Sequence, residues 1–253
     1  MSLIKTTTDA SVGWITLARP EKKNALNREM AEELAQALFA FSESAVKVVA
    51  IDAEGPDFCA GADLAALEQM LESPRQDHID DAKALGHVFH TMRRMEKPVV
   101  AIVKGRAFAG GAGLATACDI VIAHEDAKFA YPEVMIGFVP AMVMTMLRRS
   151  VGEKTAFDLV STGRILSADE ALGIGLISRV FPDAEFSAQC SSLLNSLASA
   201  PRSAMAATKS LFYKLDGIGF LDGISAGIIA NADARATSDF REGVKRFASR
   251  RKS

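Results

Sequence analysis

The sequence predicts an α/β fold that gives way to helices toward its end. Three observations carry that prediction. "VKVVAID" (46–52), "PVVAIVKG" (98–105) and "DIVIA" (119–123) are short apolar runs of the kind that strands buried on both faces require. Segments with helical apolar spacing lie between them, the alternation that builds an α/β core. From about Pro140 the chain reads as mostly helical, with breaks at Gly152, Gly163, Gly173-Ile174-Gly175, Phe181-Pro182 and Ala200-Pro201.

Taken in order, "VGWITLA" (12–18) is predicted as a strand ended by Arg19-Pro20. Met30, Leu34, Leu38 and Phe41 recur at helical spacing and predict a helix from Asn27 to Phe41. "LESPRQDHIDDAK" (71–83) is polar and broken by proline, so it reads as a mobile loop before a helix ending near Met95. The turn "AGGAG" (109–113) separates the second and third buried strands. Residues 201–253 carry apolar stripes with little evident intramolecular work. Such helices either pack on a partner subunit or cap their own core.

The 253 residues suffice for one large domain or two small ones, and the 49% apolar content permits a sizeable core. Acidic and basic residues nearly balance, 31 against 29, so no broad surface for nucleic acid or membrane is expected. No apolar run approaches the roughly 20 residues of a membrane-spanning helix. "MSLIKTTTDA" lacks the apolar core of a signal peptide, and the expected compartment is the cytoplasm. Cys59, Cys118 and Cys190 show no CxxC spacing and read as buried thiols in a reducing compartment.

Two stretches share one design: a buried strand, a turn of Gly and Ala, then a helix start. Gly61-Ala62 precedes "DLAALEQML", and Gly110-Gly111 precedes "GLATA". Helix N-termini offer unpaired N–H groups and partial positive charge, and small residues let a ligand approach them. Two such ends facing each other would form an oxyanion hole. Tight helix–strand packing asks for the same small residues. "GGAG" is not a dinucleotide fingerprint, because Thr116 stands where the third Gly belongs.

Few residues qualify as acid or base. Glu133, in "FAYPEVMIGFVP", follows a proline among apolar residues. Burial there would raise its pKa and suit it to proton transfer. A first-turn glutamate facing the helix dipole is the plainer alternative. Asp63 reads as an N-cap. His87 and His90 lie three apart without a metal-ligand partner at suitable spacing, so no metal is expected. His124 reads as a loop residue. Cys59 has no histidine nearby in sequence and reads as a buried thiol.

Taken together, these segments resemble the crotonase, or enoyl-CoA hydratase/isomerase, family. The resemblance rests on six ordered motifs: "ARPEKKNALN" (18–27), "FCAGADL" (58–64), "KGRAFAGGAGLATACDIVIA" (104–123), "FAYPEVMIGFVP" (129–140), "STGRILSADEALGIGLISRVFP" (161–182) and "SDFREGVKRFASRRK" (238–252). It implies a spiral of ββα turns over residues 1–200, followed by a helical trimerisation region over 201–253. It also implies an acyl-CoA thioester substrate of fatty acid metabolism, no metal or redox cofactor, and a homotrimer or dimer of trimers.

Carried over residue by residue, the resemblance puts the oxyanion-hole amides on Ala62 and Gly110 and the acid/base on Glu133. CoA contacts fall on Lys22, Lys23, Ala25, Ala60, Asp63, Leu64 and Gly111. Phe247 and Arg250 would reach CoA from a neighbouring subunit, although Arg250 also belongs to an ordinary basic terminus. Tyr131, Phe138, Met142, Met146 and the stretch 66–90 would shape the acyl site.

One departure stands out. Hydratases of the family use two glutamates, and the first of these positions is Gly113 here. Hydration of a 2-enoyl-CoA remains the leading expectation. A single Glu133 would also serve a shift of the double bond between the 3 and 2 positions. A non-catalytic acyl-CoA-binding protein is the reading from another class.

Overall fold

The computed structural model describes residues 2–250, the Arg250 side chain excepted. The chain opens with β1 (Ile4–Asp9) and β2 (Val12–Leu17), then α1 (Arg28–Glu43), β3 (Val48–Ala53), α2 (Leu64–Gln69) and α3 (Arg75–Arg94). Next come β4 (Val99–Val103), β5 (Arg106–Phe108), α4 (Gly110–Ala117), β6 (Ile120–His124) and β7 (Lys128–Ala130). The C-terminal half adds α5 (Val143–Ser150), α6 (Glu153–Thr162), β8 (Leu166–Ser167), α7 (Ala168–Gly173) and β9 (Arg179–Phe181). It closes with α8 (Asp183–Ser199), α9 (Arg202–Lys214), α10 (Phe220–Ala236) and α11 (Ser238–Arg250).

Among the described residues the strands form two sheets. The larger runs β1-β2-β3-β4-β6-β9, parallel except where β1 meets β2, and the smaller runs β5-β7-β8. After the opening β1–β2 pair and α1, successive turns of the chain repeat one pattern. A large-sheet strand is followed by a small-sheet contribution and then a helix: β4, β5, α4, and then β6, β7, α5. The turn that starts at β3 obeys the same rule, because Cys59 bridges to Ala107 before α2 begins. This is the ββα spiral, with a helical C-terminal region.

The two-residue strand period sets the core. Val49, Ile51, Val99 and Ala101 face the main cluster with α1 and α3. Val48, Ala50, Val100 and Ile102 face the opposite side, where α8 covers them with Phe186, Cys190, Leu193 and Leu194.

The structure corrects two expectations. Of residues 71–83 only 71–74 form a loop: from Arg75 on they are the first turns of α3, with Pro74 at the N-cap position. The polarity there is that of a solvated helix face, since the buried residues of α3 are Val88, Phe89 and Met92, near its end. A proline just ahead of a helix suits its missing N–H. His124 ends β6 rather than lying in a loop, and its Nε2 meets Asp183 Oδ1 at 3.1 Å. Beyond these, β1 has six residues of which only Ile4 is buried, and the strands β5, β7, β8 and β9, of two or three residues each, are too short for a period to register.

The C-terminal helices hold to the core at a buried ion pair. Lys209 Nζ donates to Asp119 Oδ2 at 2.7 Å and to the carbonyls of Met92 and Lys97, both at 2.8 Å. Asp119 also accepts from Val99 N and from the Tyr213 hydroxyl. By contrast α10 buries none of its residues, and Phe220 and Leu221 are 82% and 77% exposed. Among the described residues no helix is long and apolar enough to cross a membrane.

Removing one partner from a buried ion pair leaves an uncompensated charge. Asp119→Ala is therefore expected to cost about 3–5 kcal/mol, read as a fall in stability by urea unfolding.

Candidate active site

The stretch 58–63 is tied on two sides by its backbone. Phe58 N donates to Lys104 O and Cys59 N to Arg106 O, each at 2.9 Å. On the other side Ala60 N donates to Lys23 O, Leu26 N to Gly61 O and Asp63 N to Leu26 O, at 3.0, 2.7 and 2.8 Å. Ala62 N is passed over and has no acceptor among the described residues. Gly61 has φ +101°, and a Cβ there would come within 2.9 Å of Ala109 Cβ and 3.0 Å of Phe108 O. Glycine is required twice over, by conformation and by space.

Gly61 lies against the start of α4. The missing Cβ would sit 3.7 Å from Gly110 N, which opens the helix and likewise has no protein acceptor among the described residues. Ala109 before it has φ 49° and ψ −121°, a sparsely populated conformation that aims this turn. A Cβ on Gly110 would make only ordinary contacts, with Leu26 and Leu85, whereas one on Gly111 would fall 2.3 Å from Cys59 O. Gly111 therefore packs α4 onto the Cys59 strand and does not line the cavity, contrary to the expectation of a ligand contact.

Ala62, Gly110 and Glu133 line one cavity of about 660 Å³. Glu133 heads a 3-10 turn, Glu133–Ile136, set by Pro132. Its carboxyl is buried, and Oε2 has no hydrogen-bond partner among the described residues. Burial raises its pKa above the ordinary glutamate value.

Asp63 lines the same cavity, but its carboxylate is committed. It caps α2 by accepting from Ala65 N and Ala66 N, and Arg19 Nη1 lies 2.7 Å from Oδ2. Burial works to raise its pKa, yet Arg19 and the two amides outweigh this and hold it below the usual carboxylate range. Of the lining carboxylates, Glu133 alone stays uncommitted.

Lys22, Lys23, Ala25, Ala60 and Leu64 also line this cavity, at the end nearest the N-terminal segment. Asn24 fixes that segment. Its amide donates to Glu54 O and Asp57 O, and its Oδ1 accepts from Arg19 N. On the far side Phe138 and Met142 line the wall, while Tyr131 and Met146 are buried in the core. Phe247 lies elsewhere, in a separate hollow of about 970 Å³ between α9, α10 and α11. The Arg250 side chain lies outside the described residues. Burial pushes the Cys59 thiol up to about 12, which removes it as a nucleophile. Among the described residues no group of acids, histidines and cysteines could hold a metal ion.

Sequence reasoning missed two residues. Arg19 pairs with Asp63 across the fold, and no local pattern links them. Val143 fills the ground beside Gly113: a Cβ on Gly113 would fall 2.1 Å from Val143 Cγ1. The position that resembles a second glutamate is physically occupied.

Two amides without a protein acceptor and one uncommitted buried carboxyl on a single cavity are groups with which an oxyanion could be bound and a proton moved. The sequence matches the family described as Enoyl-CoA hydratase/isomerase over residues 7–253. A Thermus thermophilus relative is 40% identical over 241 residues, 95% of each chain. The crystal structure of human enoyl-CoA hydratase domain-containing protein 3 superposes with TM-score 0.94 at 31% identity, covering 98% of both chains. A Mycobacterium smegmatis enoyl-CoA hydratase superposes with TM-score 0.93 at 31% identity, over 98% of this chain and 96% of that one. The chain belongs to the enoyl-CoA hydratase/isomerase family, which acts on acyl-CoA thioesters.

The glycine geometry separates neighbouring positions. Gly61→Ala and Gly111→Ala are expected to lower the stability measured by urea unfolding well beyond the roughly 0.5 kcal/mol of an ordinary surface change. Gly110→Ala, whose nearest contact would be Leu26 Cδ1 at 3.5 Å, should leave it nearly unchanged.

Proposed function

We propose that this protein protonates and deprotonates acyl-CoA thioesters through an enolate, and that its main reaction is hydration of a 2-enoyl-CoA. One observation carries the reading: the Ala62 and Gly110 amides and the uncommitted Glu133 carboxyl line a single cavity. The thioester oxygen accepts from both amides. Water oxygen bonds to C3 while one of its protons passes to Glu133, and the electron pair of the C2–C3 bond moves onto the thioester as an enolate. Glu133 then returns the proton to C2, and the carbonyl re-forms. Removing one donor from such an amide pair typically costs about 100- to 1000-fold in rate.

Val143 against Gly113 favours a second reading with the same parts. With no room for a second carboxylate, Glu133 would take a proton from C2 of a 3-enoyl-CoA and deliver it to C4, giving the 2-enoyl product. In both readings Lys22 and Lys23 offer cations to the CoA phosphates. Ala25 and Ala60 border the nucleotide end, and Asp63 and Leu64 line the path inward. CoA is part of the substrate, and no further cofactor takes part.

We further propose that residues 1–200 form the core that carries the site and that residues 201–253 assemble a homotrimer or a dimer of trimers. The exposed apolar residues of α10 support this, and Phe247 and Arg250 would then meet a neighbour's CoA. The cytoplasm remains the proposed compartment. The near-neutral charge favours neither nucleic acid nor membrane.

The test is a mass-spectrometric screen of 2-enoyl- and 3-enoyl-CoAs, which reads both a gain of water and a shifted double bond at constant mass. Glu133→Gln should lower the turnover found by about 100- to 10,000-fold. Glu133 must be ionised to accept a proton, and burial raises its pKa. Wild-type kcat should therefore rise with pH along an acid limb centred above the ordinary glutamate range. Thioester binding without turnover of any substrate would replace both readings with a non-catalytic acyl-CoA-binding protein.

A further inference from the structure

We propose that the acyl site recognises a carboxylate at the end of the acyl group distal to the thioester, through His87, His90 and Lys83. This inference rests on the acyl-CoA reading above and names its substrate class. A second hollow, of about 770 Å³, lies beside the catalytic cavity and shares two lining residues with it, Ala82 and Met142. The divider between them is slight. Met142 packs its sulfur against Gly86, where an added Cβ would come to 3.3 Å from Sδ. A methionine with three rotatable bonds beside a glycine is a partition that a side-chain rotation can move. An acyl chain that outgrows the apolar wall of Leu85, Phe138 and Met142 would emerge past it.

The chemistry changes on the far side. Lys83, His87 and His90 stand at i, i+4 and i+7 of α3, so they share one face, and all three line the hollow. None of the residues lining that hollow is acidic. Lys83 donates one N–H to Asp80 at 2.8 Å, outside the lining, and keeps two more N–H groups. Neither imidazole has a hydrogen-bond partner among the described residues. Such a row of nitrogen donors at the end of an apolar channel would suit a carboxylate, whereas a methyl terminus would gain nothing from it.

The test is binding, which does not depend on which reaction follows. Hexanoyl-CoA and adipoyl-CoA match in length and differ in the terminal carboxylate, and octanoyl-CoA and suberoyl-CoA give a longer pair. Isothermal titration of the wild-type protein should show the carboxylate-ended member of at least one pair bound about ten-fold tighter or more. Lys83→Gln/His87→Gln/His90→Gln should abolish that preference and leave hexanoyl-CoA and octanoyl-CoA affinities unchanged. The single variants His87→Gln and His90→Gln give the same reading if the triple variant fails to fold by circular dichroism. Equal affinities in both pairs, or a preference that survives the substitutions, would overturn this inference and leave the acyl-CoA reading standing. Failure of all four thioesters to bind would overturn both.

Discussion

At Gly61 two strips of backbone come closer than any side chain permits, and the site follows from that approach. A Cβ there would run into Ala109 and Phe108 O, so the strand end before α2 and the turn before α4 meet only across a glycine. Gly111 makes the same approach from the other direction, against Cys59. Hydrogen bonds to Lys104, Arg106, Lys23 and Leu26 take up Phe58 N, Cys59 N, Ala60 N and Asp63 N, and leave Ala62 N without an acceptor among the described residues. The helix start leaves out Gly110 N. Two amides without a protein acceptor among the described residues thus lie along one cavity. Ligand oxygen is what would satisfy them.

Glu133 follows the same logic with opposite sign. Its carboxyl is buried and lacks a partner at Oε2 among the described residues, and burial raises its pKa above the ordinary value. Asp63, a few residues from the oxyanion turn, has been given Arg19 and two amides and is held in the opposite sense. Two acids on one cavity are thus driven apart: Asp63 braces α2, and Glu133 keeps an uncommitted carboxyl. Val143 against Gly113 limits the chemistry further, since a second carboxylate cannot enter without displacing a valine.

Much of this was legible in the residues. The buried strands, the helix from Asn27, the capping role of Asp63 and the inert Cys59 followed from periodicity and residue type. Glu133 stood out as an acid following a proline among apolar residues, although a first-turn glutamate facing the helix dipole was the plainer reading of it. What escaped were features fixed by distant partners. The polar start of α3 looked like a loop because its buried anchors come late in the helix. Arg19 reaches Asp63, and Val143 reaches Gly113, only through the fold. The two glycines of "GGAG" looked alike in sequence, yet one faces the cavity and the other packs on a strand.

The central claim is that the two amides and Glu133 together form a thioester enolate, whatever product follows. The most direct measurement is hydrogen–deuterium exchange at C2 of a saturated acyl-CoA in heavy water, followed by mass spectrometry. The wild-type protein should introduce deuterium at C2, and Glu133→Gln should bind the same thioester without exchange. A wild-type protein that binds the thioester and exchanges nothing, or a Glu133→Gln variant that exchanges as fast, would contradict the account.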